Sequence, residues 1–149
     1  IAAPAGMSFK KFQNALFSVE YPAGWTFERG SDDEGDYVMW TSPEGDMDLY
    51  ISWRSFSGSV DEYIMELESL YGDVSEVSRE SVDYGGCPAR VVGFSWTDSQ
   101  GNDWGSVDLF IVCKGRGYHA TLEAVMEYWK DGTATQLAQY LLTSFSLKG

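Results

Sequence analysis

One histidine, two cysteines and a knot of carboxylates are the residues of this 149-residue chain whose types could do chemistry. His119 stands alone, so no zinc site built on two histidines can form. A lone imidazole can still move a proton beside a carboxylate, and a small hydrolase using His119 is the enzymatic reading. On a strand its same-face neighbours are Thr121 and Glu123, and that face reads as an ordinary exposed one. Polar groups converging on His119 in a pocket would favour the enzyme; a bare face would end it. A tight turn at Gly115-Arg116 pairs Val112 with His119, which puts the imidazole on the opposite sheet face from Cys113 and excludes a Cys–His dyad. There is no Gly-x-Ser-x-Gly elbow, and Gly115-x-Gly117 sits in a hairpin turn without the third glycine of a phosphate loop.

The carboxylates are densest between Glu28 and Asp48, which hold eight acids and one base. Asp32, Asp33, Glu34 and Asp36 fall in one loop. Hard cations take several oxygen ligands from such loops, so calcium is the ion this cluster would hold and a cation-binding module is a second alternative. The spacing is not that of an EF-hand, and acidic loops are commonly just solvated.

Cys87 and Cys113 bound a long hairpin. Asp98-Ser99-Gln100-Gly101-Asn102 is a turn cluster, and pairing Thr97 with Asp103 makes facing residues sum to 200. Cys87 then lies opposite Cys113, Val91 opposite Leu109 and Trp96 opposite Trp104. Directly opposed strand residues are close enough for a disulfide, which is expected if the protein is exported. The other reading is a pair of buried free thiols.

Ten basic against twenty-three acidic residues leave a formal charge of −13. Nucleic acid and anionic lipid surfaces both require a basic footprint, so neither is a partner. Mean hydropathy is negative and no apolar stretch approaches the ~20 residues of a membrane span. The opening Ile1-Ala2-Ala3-Pro4-Ala5-Gly6 reads as a flexible small-residue leader left after a targeting segment is removed, the other reading being a cytosolic protein. Residues 1–15 are assigned to that leader and 16–149 to a single domain.

These residues must be positioned by short elements. Phe9 to Asn14 reads as a weak helical or irregular entry. Leu16–Tyr21, Trp25–Glu28, Tyr37–Thr41 and Met47–Phe56 read as strands, with Met47, Leu49, Ile51 and Trp53 on one face and Asp48, Tyr50, Ser52 and Arg54 on the other. Ser59 and Glu62 form a capping box for a helix ending at Gly72. Val74–Asp83, the cysteine hairpin and Tyr118–Val125 continue the sheet. A closing helix runs over 134–145 with Thr133 as its cap. Strand runs joined by tight turns and two amphipathic helices make an α+β fold, a single-domain antiparallel β-sheet flanked by helices.

Phe17-Ser18-Val19-Glu20-Tyr21-Pro22-Ala23-Gly24-Trp25 is similar to the opening strand, Tyr-Pro and Trp signature of the PsbP-like family, relatives of the extrinsic lumenal protein of photosystem II. The helix at 59–72, the glycine turn into the hairpin at 85–113, the Gly-Tyr strand at 117–122 and Leu142-Thr143-Ser144-Phe145 fall where that family places them, so the resemblance spans 16–147. It implies an antiparallel sheet between helices and a compact accessory protein on the outer side of a membrane. Bacterial members outside photosynthesis are often lipoproteins. The chain lacks the basic docking arm of the photosynthetic proteins, so a photosystem role is not expected. The resulting expectation is a monomeric, non-catalytic protein, secreted or lipid-anchored. It would bind a partner protein or small ligand at the cell envelope and carry no cofactor. Trp96 and Trp104, with Phe94 and Phe110 on the same side, are the candidate partner surface, because large aromatics most often anchor interfaces. The competing reading is that the closing helix covers them. The polar turn must reach solvent, so both tryptophans are expected to be partly exposed beside a groove.

Overall fold

Runs of alternating apolar and polar residues, stopped by glycine and asparagine turns, become ten strands in the computed structural model, which describes residues 1–149. The first five are β1 (Phe9–Gln13), β2 (Phe17–Pro22), β3 (Thr26–Asp32), β4 (Gly35–Thr41) and β5 (Met47–Ser55). Helix α1 (Val60–Glu68) follows, then β6 (Ser75–Tyr84), β7 (Cys87–Thr97), β8 (Asp103–Cys113) and β9 (Arg116–Val125). The chain closes with α2 (Met126–Lys130), α3 (Thr133–Ser144) and β10 (Ser146–Leu147). Seven strands form one sheet in the order β3-β4-β5-β9-β8-β7-β6, and β1-β2-β10 form a small second sheet. Every pairing is antiparallel, so the α+β class and the antiparallel layered architecture hold.

The hairpin register is the one that sums to 200: Ala89 pairs with Ile111, Val91 with Leu109 and Trp96 with Trp104. Cys87 and Cys113 are joined by a disulfide with their Cα atoms 5.4 Å apart. One sheet face carries Val38, Trp40, Leu49, Ile51, Ala89, Leu109, Ile111, Ala120 and Leu122, buried against Phe17 and Val19 of the small sheet and Leu137, Leu141 and Phe145 of the closing segment. On the other face α1 lays Val60, Tyr63, Ile64 and Leu67 over Val92, Phe94 and Phe110. Gly117 permits that approach, since a Cβ there would stand 2.5 Å from the Tyr63 ring.

Residues 9–14 are not irregular: Phe9 to Gln13 pair with Pro22 to Ser18, so part of the expected leader is a strand of the fold. Phe9 and Phe12 are spaced like one helical face, but Phe9 packs on Tyr140 and Phe12 on Phe17 and Trp40, which overrides the local signal. The turn into β9 is Lys114-Gly115, both with positive φ, not Gly115-Arg116. His119 therefore faces Phe110 instead of Val112, a shift of two residues that keeps it off the cysteine face. The capping box at Ser59 is present, but the helix ends at Glu68 rather than Gly72. Thr133 lies inside α3, whose N-cap is Gly132 at φ 87; Asp131 accepts the Thr133 N–H instead.

Candidate functional site

Sheet register builds a polar floor on the face that α1 covers only in part. On β5 the alternation that buries Leu49 and Ile51 turns Asp48, Tyr50 and Ser52 the other way. Across β5, β9 and β8 the rows read Ser52–His119–Phe110, then Tyr50–Thr121–Asp108, then Asp48–Glu123–Ser106. Where α1 stops, Tyr71 to Val74 with Phe94 and Trp96 line the rest, enclosing a cavity of about 640 Å³. His119 is 2% exposed and Thr121 1%, so the expected exposed strand face is a buried floor. The sheet continues past the helix end, and the residues after it fold back over this face.

Both ring nitrogens of His119 are engaged. Nδ1 lies 2.9 Å from Glu34 Oε1 and Nε2 lies 2.6 Å from Asp108 Oδ2. The ring stacks on Phe110 with centroids 4.4 Å apart and planes 5° apart. Ser52 donates to Glu34 Oε1 and Ser106 to Asp108 Oδ1, so each carboxylate is held in turn. Burial pushes the imidazole towards its neutral form, but the bonds to Asp108 and Glu34 and the charges of both outweigh it and lift His119 to about 10. Burial likewise pushes Glu34 up, yet the bond and charge of His119, with Ser52, hold it below the ordinary carboxylate range. With a carboxylate at each ring nitrogen, the geometry favours the imidazolium.

Asp48 and Glu123 face each other directly across β5 and β9. Burial, with the Asp108 charge, lifts Asp48 to about 6 although its bond to Glu123 works against the rise. Burial and the Asp48 carboxyl push Glu123 well above the ordinary range. Two carboxyls desolvated together share a proton rather than ionising together. The Thr121 and Tyr71 hydroxyls are buried without a hydrogen-bond partner.

The acidic loop is the two-residue turn of the β3–β4 hairpin, and its side chains go separate ways. Glu34 reaches His119, Asp32 accepts from Tyr50 and Asp36 accepts from Ser31. No three of the His, Cys, Asp and Glu side chains gather in a metal-holding group. Trp96 and Trp104 are stacked with centroids 6.3 Å apart and are half-buried. Phe94 and Phe110 are buried under α1, not under the closing helix, which lies on the opposite face. Asp48, Tyr50, Tyr71 and Asp108 were missed as site residues. The signal was the run of polar residues on β5 and β8, Asp48, Tyr50 and Ser52 with Ser106 and Asp108, all on the face that carries His119 once the two registers are combined.

The fold is PsbP-like. The solution structure of cyanobacterial PsbP from Synechocystis matches with a TM-score of 0.72 over 99% of this chain and 98% of that one, at 14% identity. The crystal structure of LpqN, involved in cell envelope biogenesis of Mycobacterium tuberculosis, matches with a TM-score of 0.60 over 97% and 92%, at 12% identity. A crystal structure from Bacteroides thetaiotaomicron matches with a TM-score of 0.63 over 94% of this chain and 48% of that one, at 13% identity. At such identities the fold is what is shared. In sequence, no protein-family model and no curated protein matches the chain. No helix is long and apolar enough to cross a membrane.

Proposed function

We propose that the chain is a non-catalytic extracytoplasmic binding protein of the cell envelope, and that the cavity over His119 holds its ligand. The observation that carries this is the double engagement of the ring. A general base must keep one nitrogen free to accept a proton, and Glu34 and Asp108 occupy both. The nearby hydroxyls of Ser52 and Ser106 donate to those carboxylates, so neither is activated by the imidazole. Polar groups do converge on His119, which is the starting point a hydrolase would need, but they spend the ring on holding the floor rigid. Support for the compartment comes from the Cys87–Cys113 bridge, since disulfides persist in oxidising surroundings. The fold shared with LpqN, a protein involved in cell envelope biogenesis, is in keeping with it.

Fractionation of source cells, with thiol alkylation before lysis, tests the compartment: the protein is expected in the envelope or secreted fraction with both cysteines blocked from alkylation. Assays on chromogenic ester, phosphoester and peptide substrates test the rest, with equal background expected for the wild type and the His119→Asn variant. A cytoplasmic, reduced protein would overturn the first half, and turnover lost in the variant would overturn the second.

A further inference from the structure

The cavity is unusual in its charge. Six carboxyl-bearing residues line it against one imidazole, with no lysine or arginine among them. Glu34 and Asp108 are neutralised by the His119 cation between them in part only, since two negative charges meet one positive. Asp48 and Glu123 form a second acidic pair on the next strand row but one. Acidic residues alone define no site, since they are commonly solvated. Here they sit on the floor, and the Thr121 and Tyr71 hydroxyls beside them have nothing to bond.

Those atoms are informative because buried polar groups left unpaired are costly. Thr121 is 1% exposed, lines the cavity, and its Oγ1 has no partner within the protein. The Tyr71 hydroxyl shares that state. Thr121 stands one row from the acidic pair, between Tyr50 and Asp108. A group that donates several hydrogen bonds and carries positive charge would satisfy a carboxylate and a hydroxyl acceptor together.

The walls give the rest of the ligand's character. Tyr71 meets Phe94 edge to face, with centroids 5.8 Å apart and planes at 84°, and Trp96 continues the lining. Ring faces attract organic cations and accept hydrocarbon, whereas a bare hard metal ion requires a shell of oxygens. We propose that the cavity receives a small organic cation, a protonated amine with an apolar body, its ammonium against Asp48, Glu123 and Thr121 and its body against Tyr71, Phe94 and Trp96. This rests on the reading of the cavity as a ligand site and adds the chemical class.

The test is thermal melting of the intact protein at neutral pH with phenethylammonium chloride, and with phenethyl alcohol, calcium chloride and sodium chloride at matched ionic strength. The amine is expected to raise the melting temperature saturably, as a ligand of the native state does, while the alcohol and sodium chloride leave it unmoved. Asp48→Asn is expected to weaken the apparent affinity about tenfold or more, the loss of one charged hydrogen bond. Thr121→Val, nearly the same shape, should weaken it too and serves if the first variant folds poorly. Saturation by calcium but not by the amine would make the site one for an inorganic cation and overturn the proposal. Saturation by neither would leave the cavity to water and overturn it as well. Both outcomes are distinct from failure of the binding-protein reading, which is read from turnover and cell fraction.

Discussion

Glu34 and His119 stand 85 residues apart in the chain and 2.9 Å apart in the structure. Glu34 belongs to the tip of the β3–β4 hairpin, at one edge of the main sheet, and His119 to its centre. One carboxylate thus folds the acidic turn back over the face and closes one end of the cavity. The same contact removes Glu34 from any cation site on the turn.

The clamp makes a stability prediction. Replacing His119 with Phe leaves Glu34 and Asp108 buried without their cation, which is expected to cost about 3–5 kcal/mol in denaturant unfolding. Adding Glu34→Gln and Asp108→Asn should recover part of the loss. A loss under about 1 kcal/mol, the level of an exposed pair, would mean that the clamp is not a buried one.

The paired carboxyls make a pH prediction of opposite sense to the usual acid loss. Asp48 ionises near 3.8 when unfolded and at about 6 when folded, so the folded state binds the extra proton between those values. Stability from this pair is therefore present in acid and lost as pH rises through about 6. Glu34, lowered in the fold, acts the other way below its unfolded value. The comparison is thus between wild type and Asp48→Asn from pH 5 to 8. The wild type should fall relative to the variant over that range, and parallel curves would remove the shared proton.

Bridge and register are legible in the sequence. Period-two alternation and one polar turn cluster between Thr97 and Asp103 suffice to oppose Cys87 to Cys113, because a one-residue slip would turn every apolar side chain outward. The capping box at Ser59 is equally local. What was not legible depended on contacts between distant strands. β1 exists because Pro22 to Ser18 offer it a partner, and Phe9 and Phe12 alone look helical. His119 appeared exposed because burial of a polar face requires knowing that Tyr71 to Val74 fold back over it. Asp108 looked like an ordinary polar position in a strand until its neighbour across the sheet was known. The acidic turn was visible as charge, but the direction of each carboxylate is set by Tyr50, Ser31 and His119, which lie elsewhere in the chain.

The disulfide joins residues 26 apart at the open end of the hairpin. Titration of thiols in the unfolded, unreduced protein should find none. Replacing both cysteines with Ala should cost about 3 kcal/mol, mainly through the freer unfolded chain. Two titratable thiols would remove the bridge and its support for export, while leaving the register intact.

Trp96 and Trp104 remain half-exposed at the hairpin end. Acrylamide, a neutral quencher unaffected by the chain's negative charge, should lose part of its accessible fraction on replacing either with Phe, whereas Trp40, buried at 1% exposure, should contribute nothing. If neither replacement lowers that fraction, the pair is core and offers a partner no surface.

His119, with Glu34 and Asp108 at its two ring nitrogens, is placed to be an imidazolium, a structural charge in the floor of the cavity. Nitrogen NMR of the protein labelled at its single histidine reads this directly, because protonated and unprotonated ring nitrogens resonate far apart. With His119 lifted to about 10, both nitrogens should show the protonated shift from pH 5 to 8 without titrating. A ring that loses one proton near the ordinary value of 6.5 would leave a nitrogen free for catalysis and overturn the structural role of His119.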